Sequence, residues 1–567
     1  MNDQSKMPVD WRKRKLKRKE DLWLERSSWD PHWQDISRYQ QPRLGRFFVT
    51  DRNRGTRRDQ NIIDNTAMLA QRTQSAGMMS GMTSPARPWF KMALEDTDLM
   101  ESSRVKAWLY GVNKLMRTIY AKSNTYLALR SCYDELGLFG TWANFVMDDF
   151  ENVIHHYPMT IGEYAIATNS KGIVDTLCRE FQMTVGQMVE KFGKEACSHT
   201  VQNMYTSDRL DAWVTVLHMV EPRRERDVKM RDAKNMPFSS CYFEPAADNW
   251  DKLLRESGFE RFPALCPRWD VTGNDVYGYS PGMMVLGDVR QLQQQQLRKG
   301  QAIDYKANPP LQIPTALKAQ GTSARLPGGS FYVDATGPGS GVRSAFEVNL
   351  DLSHMLVDIQ DVRERIRQGY FADLFLMLAN DTRSGTTATE IAERHEEKLL
   401  MLGPVLERLH NELLSPLIDM TFDRIARAGL LTGALQPPPE LEGMELKVEF
   451  VSVLAQAQQM VAAGGMDRMV STVGQLAQAY PQVLDKLNPD EIVNEYADIF
   501  GVNPELVVPN EVAEERRAQR AQQQAAQQAA AAMPAVVDAA KSASEIDVDN
   551  MRDVMEGLQG YGTAPAL

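Results

Sequence analysis

The chain has 567 residues, 43% hydrophobic and 25% charged, with a mean hydropathy of -0.41, which predicts a protein of about three or four globular units. Its longest apolar run, Phe371 to Ala379, is far short of the ~20 residues a membrane-spanning helix needs, and residues 1 to 20 are basic with no apolar stretch behind them, so neither a membrane span nor a secretory signal is expected and the setting is cytosol-like. Residues 1–60 hold 16 Lys/Arg against 9 Asp/Glu and the remainder 48 against 66; this basic head on an acidic body argues against clinging to nucleic acid over most of the surface, though not against letting DNA slide past.

In chain order, the run Arg12-Lys13-Arg14-Lys15-Leu16-Lys17-Arg18-Lys19 is followed by Leu22, Trp23, Trp29, Trp33 and Ile36, a pattern for amphipathic helix. Asp30-Pro31 reads as a helix start, with Asp as cap and Pro where no amide is needed. Val105, Trp108, Leu109, Val112, Leu115, Met116 and Ile119 form a helical stripe. Residues 161–183 read as a hairpin turning at Asn169 to Gly172, after which Thr184 caps a short helix that Gly193 ends. Further strand-like runs at 213–220 and 239–243 complete a first half of helices followed by mainly antiparallel sheet. The five cysteines, Cys132, Cys178, Cys197, Cys241 and Cys266, have no paired spacing and read as buried thiols.

The middle is the most informative part. Residues 282–305 are predicted helical, with Val285, Val289 and Leu292 on one side and Gln291, Gln293, Gln294, Gln295 and Gln296 around the rest. A second helix, 350–370, repeats Leu352, Met355, Leu356, Ile359, Val362 and Ile366. Between them, residues 306–348 carry five prolines and six glycines, too many for regular helix. After the polar break at Asn380 to Gly385, a stripe from Ile391 to Met420 predicts a long helix kinked at Pro404 and Pro416. A strand is expected at 445–454, helices over 455–500, and an Ala/Gln-rich tail from Glu511 with no apolar face.

Catalytic chemistry is hard to place. Gly193-Lys194-Glu195 lacks the preceding glycine and the hydroxyl of a phosphate-binding loop, and Gly337-Pro-Gly-Ser-Gly341 lacks dinucleotide-binding spacing. His395-Glu396 has no second histidine one turn on, and His395 falls on the apolar stripe. His155-His156 lies beside Asp148, Asp149 and Glu151, a set for metal binding or merely a solvated turn, but adjacent strand residues point to opposite faces. The basic run at 12–19 offers a DNA contact, a solvated face or a protein contact. No catalytic, cofactor-binding or metal-ligating residue is assigned, and no cofactor is expected.

In this order, Arg38-Tyr-Gln-Gln-Pro-Arg-Leu-Gly45, Tyr277-Gly-Tyr-Ser-Pro-Gly282, Thr387-Ala-Thr-Glu-Ile391, Leu402-Gly-Pro-Val-Leu406 and Glu412-Leu-Leu-Ser-Pro-Leu417 surround a helix-insert-helix. The chain thereby resembles the portal, or head-to-tail connector, proteins of short-tailed bacteriophages, with the tail beyond Glu511 outside the resemblance. The resemblance implies an α+β, mainly helical fold of several domains, with a wing at 1–280, stem helices at 281–305 and 349–372, and a clip at 306–348. It further implies a tunnel loop at 373–388, a long kinked wing helix at 389–430, a crown at 431–510 and a C-terminal tail at 511–567, barrel-forming or disordered.

The function implied by this resemblance is a non-enzymatic dodecameric ring at one capsid vertex, with double-stranded DNA in its channel for packaging and ejection. Its partners are the large terminase, which carries the ATPase, then tail adaptor and nozzle proteins, the major capsid protein and scaffold or core proteins, with no membrane. The ring is assembled in the host cytoplasm and ends in the virion. Asn380, Asp381, Thr382 and Arg383 are expected near the DNA, and Gln291, Gln294 and Gln295 on the stem wall, since a conduit needs polar walls with few fixed cations. Two alternatives stay open on sequence: another oligomeric virion protein, scaffold or internal core, and a metal-dependent DNA-processing enzyme.

Overall fold

The computed structural model describes residues 11–51, 55–94, 102–230, 232–247, 252–314, 329–333, 343–344, 352–380, 403–441, 446–450, 466, 468–477, 480–500, 507–508, 512–525 and 527. Residues 1–100 with 108–466 make one compact unit, and 101–107 with 467–567 a second. Among the described residues no helix is long and apolar enough to cross a membrane.

The basic run folds as helix α1 (Trp11–Arg26), followed by α2 (Asp30–Tyr39). Pro31 sits in the first turn of α2 as expected, but Asp30 does not cap it: Trp29 holds the cap position without a side-chain bond, and the Asp30 carboxylate receives Arg26 Nη2 at 3.4 Å. Next come α3 (Thr66–Met82), strand β1 (Phe90–Leu94), α4 (Ser103–Lys122), which carries the Val112, Met116 and Ile119 stripe, and α5 (Thr125–Phe139). Gly140 ends α5 in the left-handed region at φ 75°.

Strands β2 (Ala143–Asp149) and β3 (Val153–Met159) form a hairpin, and the predicted second hairpin is β4 (Tyr164–Thr168) with β5 (Val174–Thr184). Thr184 and Gln187 close a reciprocal capping box on α6 (Val185–Phe192), which Gly193 ends. After α7 (His199–Thr206), strands β6 (Trp213–Pro222), β7 (Phe238–Phe243) and β8 (Arg255–Phe259) complete an antiparallel five-stranded sheet in sequence order from β4, while β9 (Ala264–Leu265) joins β2. One face of this sheet is covered by α1, whose Trp11 and Leu22 pack on Cys178, Leu217, Met219 and Phe243. The other meets α2 and α5 around Trp33, Ile36, Phe139, Phe145, Tyr164 and Tyr277. All five cysteines are free and buried.

Pro281–Met284 forms a helical turn leading into α8 (Leu286–Ala307). The Pro/Gly-rich stretch, expected to be irregular, contains short strands β10 (Leu311–Pro314), β11 (Ser330–Val333) and β12 (Arg343–Ser344), with β10 central, parallel to β11 and antiparallel to β12. Then come α9 (Leu352–Gly369) and α10 (Ala372–Asn380). Residues 403–409 are helical, His410–Leu414 form a π turn, and α11 (Ser415–Arg427) continues the helix. Pro416 has no amide to offer the carbonyl one turn back, and the widened turn just ahead of it accommodates that lost bond. Strand β13 (Leu446–Phe450) pairs antiparallel with β1. In the second unit, α12 (Pro489–Phe500) and the helical residues 512–525 carry an ion pair between Arg517 and Asp490.

Candidate functional site

The two middle helices, α8 and α9, pack along their apolar stripes: Val285, Val289 and Leu292 against Ile359, Val362 and Ile366, with Tyr370 and Ala67 and Ala70 of α3 closing the cluster. The contact is close at Gly369, where an added Cβ would fall 2.3 Å from a Val285 methyl. A polar clamp joins this pair to the segment before α3. Gln293 Oε1 accepts the amides of Ile63 and Asp64 at 2.7 and 2.9 Å, and its Nε2 donates to the Asp64 carbonyl at 2.9 Å. The Asp64 carboxylate takes Gln296 Nε2 at 2.9 Å and Arg363 Nη2 at 2.7 Å. Burial raises the Asp64 pKa, but bonds from Thr66 and Arg363 outweigh it and hold the group below its ordinary value.

Gln293 is the residue that a polar-cluster reading misplaces. It is buried, and the available signal was its position four residues after Val289, on the apolar face. Of the expected wall residues, Gln291 and Gln294 are exposed, while Gln295 is half-buried and bonds Asp358. Four of the five arginines of the helix pair are matched to carboxylates, Arg290 to Asp35, Arg363 to Asp64, Arg365 to Asp288 at 3.4 Å and Arg367 to Glu364 at 3.6 Å, whereas Arg298 near the far end of α8 is exposed and in no ion pair among the described residues.

Two of the sequence motifs meet at the root of this pair. Gln40 Nε2 donates to the Gly282 carbonyl at 2.8 Å, and the Tyr370 phenol donates to Gln40 Oε1. In the stretch 277–282, Ser280 donates to the Leu138 carbonyl at 2.6 Å and caps the Met283 amide at 3.0 Å. Tyr277 accepts the Ile166 amide at 3.1 Å. Gly278 passes so close to the end of α5 that a Cβ would lie 2.3 Å from the Gly140 carbonyl. Chemistry therefore dictates this motif residue by residue, as a fitted joint between the sheet core and the helix pair. A third motif supplies Glu412, whose carboxylate receives the Arg268 amide at 2.9 Å, Nε at 3.2 Å and Nη2 at 2.6 Å.

Residues 12–508 match the family model described as bacteriophage head to tail connecting protein. The chain belongs to that family. It is 55% identical over 553 residues to the probable portal protein of Bordetella phage BPP-1, covering 97% of this chain and 99% of that protein. It is 45% identical over 535 residues to the portal protein of Salmonella phage epsilon15, covering 94% and 95%. Among solved structures, the neck of an empty GTA particle matches 79% of this chain and 96% of that chain at 12% identity and a TM-score of 0.30, too remote to inform detail. As a head-to-tail connector the protein is a structural component of the virion, of mixed, mainly helical multi-domain fold.

The connector's other candidate residues fall in several places. One side of the basic helix α1 is engaged by the sheet, where Arg12 donates to the Glu244 and Pro245 carbonyls at 2.9 and 3.0 Å, Lys15 pairs with Glu221, and Lys19 with Glu180 at 2.8 Å, while Lys13, Arg14 and Lys17 are exposed on the other. His156 is buried between Asn144 Nδ2 at 2.7 Å and Thr125 Oγ1 at 3.0 Å, and burial lowers its pKa to about 3, with the neighbouring His155 and Arg424 adding to the effect. His155 instead packs edge-on to Tyr157, so the two histidines share no ligand. Among the described residues no group of three or more His, Cys, Asp or Glu is placed to hold a metal. Asn380 ends α10, whereas Asp381, Thr382, Arg383 and His395 lie outside the described residues.

Proposed function

We propose that this connector is the subunit of a closed, dodecameric, non-enzymatic portal ring whose axial channel carries double-stranded DNA into the head during packaging and out during ejection. The observation that carries the reading is the helix pair α8 and α9, which presents Gln291 and Gln294 to solvent while four of its five arginines, all but Arg298, are neutralised by carboxylates of the same chain. Each phosphate held by a free cation would have to be released for DNA to advance, so a wall of amides and mostly neutralised arginines favours sliding.

In this reading residues 1–280 form the wing, 281–305 and 349–372 the stem, 306–348 the clip, 373–388 the tunnel loop, 389–430 the wing helix and 431–510 the crown. Asn380, Asp381, Thr382 and Arg383 lie nearest the DNA. The clip serves the large terminase first and the tail adaptor afterwards, the wing meets capsid and scaffold or core proteins, and assembly takes place in the host cytoplasm. Identities of 55% and 45% to portal proteins of two phages support the ring, and the small sheet of β10 to β12 between the stem helices suits a compact clip. Electron microscopy of the purified protein tests it: end-on views should show a closed ring with a hole wide enough for duplex DNA. A monomer or compact dimer, stable across salt and concentration, overturns it.

A further inference from the structure

The sheet of β4 to β8 carries a row of residues that packing alone does not account for. Arg179 on β5 is paired with His218 on β6, His218 with Tyr242 on β7, and Tyr242 with Arg255 on β8. Directly paired residues of antiparallel strands share a face, so these four form one line across the sheet. Helix α6 brings Lys191 over the same line, with Nζ 5.3 Å from the centre of the Tyr242 ring. Tyr242 is the hub: His218 lies flat against it at 3.7 Å and 7°, and Arg179 bonds its hydroxyl. The Arg179 guanidinium lies against the rings of Phe145 and Phe181, 5.2 and 4.3 Å from their centres.

Three cations thus converge without a counter-ion. Among the described residues none of Arg179, Lys191 and Arg255 is in an ion pair, and their sequence neighbours Glu180 and Glu256 project from the opposite face, where they bind Lys19 at 2.8 Å and Arg223 at 3.1 Å. The Lys191 pKa is depressed chiefly by burial, with the charges of Arg179 and Arg255 adding to it. Under them His218, 1% exposed, bonds Ser240 Oγ through Nε2 at 2.9 Å, while its Nδ1 has no partner, nor has Arg179 Nε. Lys191 and Arg255 are exposed, so an anion has a way in.

We propose that Arg179, Lys191 and Arg255, with the Tyr242 hydroxyl, bind a phosphate oxyanion, either free phosphate or the phosphodiester of a nucleic-acid backbone. Donors reaching in from three strands and a helix suit a tetrahedral, multiply charged anion with oxygen on every side. A carboxylate, with two oxygens in one plane, would satisfy one guanidinium fork and leave the other cations unmatched.

Isothermal titration of the full chain with inorganic phosphate, at constant ionic strength against sodium chloride, tests the site. One saturable phosphate per chain is expected. The double variant Lys191→Met, Arg255→Met should bind at least about tenfold more weakly, since each charge-assisted bond contributes on the order of a decade in affinity. The charge-preserving pair Lys191→Arg, Arg255→Lys should retain binding. Without phosphate, the Met variant should melt at or above the wild-type temperature because repulsion is relieved, which separates loss of the site from loss of the fold. Absence of a saturable heat in the wild type, or unchanged affinity in the Met variant, overturns the proposal. Both sources support it and are told apart with a short DNA duplex: displacement of bound phosphate that disappears in the Met variant identifies the phosphodiester, and no displacement identifies the free ion.

Discussion

The hydroxyl of Tyr370 donates to the side-chain carbonyl of Gln40, 330 residues earlier in the chain, and the other end of the same amide donates to Gly282. Gln40 and Tyr370 are 1% and 0% exposed, so no water replaces either bond. This single amide couples the end of α2, the entry to α8 and the exit of α9. Such a joint fixes the three elements together, because a buried hydrogen bond has no competitor while the apolar surroundings stay closed.

Tyr370→Phe removes the donor but keeps the ring, leaving Gln40 Oε1 buried and unsatisfied. A loss of about 1–3 kcal/mol is expected from chemical denaturation. The double variant Gln40→Met, Tyr370→Phe should be more stable than the sum of the single losses predicts, since removing both partners leaves less unpaired polarity. Strict additivity would show that the two side chains are not coupled.

Arg268 is only 4% exposed at its side chain and is held by Glu412 on the π turn. Glu412→Gln should cost about 3 kcal/mol, because one buried charge loses its counterpart. Arg268→Lys should not preserve stability, as an ammonium cannot reproduce the guanidinium fork at both carboxylate oxygens. Denaturant melts with both variants measure the two effects.

Two buried groups should give stability opposite slopes with pH. Burial raises the Glu135 pKa to about 8, against which the bonds from Thr160 and Ile161 act only partly. Between its ordinary value of 4.5 and about 8 the native state keeps a proton that the unfolded state has released, so stability falls as pH rises through this window. His156 is neutral when folded. From its ordinary 6.5 down to about 3 the unfolded state takes up a proton the native state refuses, so stability falls as pH drops. Thermal melts from pH 5 to 8 should show Glu135→Gln flattening the alkaline loss and His156→Gln the acid loss; unchanged profiles would sink this assignment.

Gln291→Lys with Gln294→Lys places two fixed cations on the proposed wall. Rings should still form, but DNA passage should slow at low salt and recover at high salt, with the salt slope of DNA binding steepening by about 0.9 for each phosphate engaged. An in vitro packaging assay across salt concentrations measures this.

Arg383→Glu addresses the tunnel-loop assignment. Packaging should fall while ring assembly, seen by electron microscopy, is preserved. Failure of the rings to form would make Arg383 an interface residue and move the DNA contact elsewhere.

Local signals carried much of this protein. The alternation that marks β4 and β5, the Thr184 cap with Gly193 as its end, and the three-to-four spacing of Val285, Val289 and Leu292 are properties of neighbouring residues, and each element formed where its period demanded. The ordered motifs sufficed for the family as well. What sequence did not disclose was the partner of each polar group. Gln293 reads like its glutamine neighbours until Asp64 is brought beside it, and Asp30 reads as a cap until Arg26 claims its carboxylate. The basic run of α1 reads as a DNA contact, a solvated face or a protein contact until Glu180 and Glu221 of the sheet claim Lys19 and Lys15, and Arg179, Lys191 and Arg255 look like ordinary strand and helix charges until register sets them in one row. Hydrophobic period is written within a few residues of chain, so it is legible locally. The pairing of charges and hydrogen bonds is settled by residues one to several hundred positions apart, and only the tertiary structure decides which of them meet.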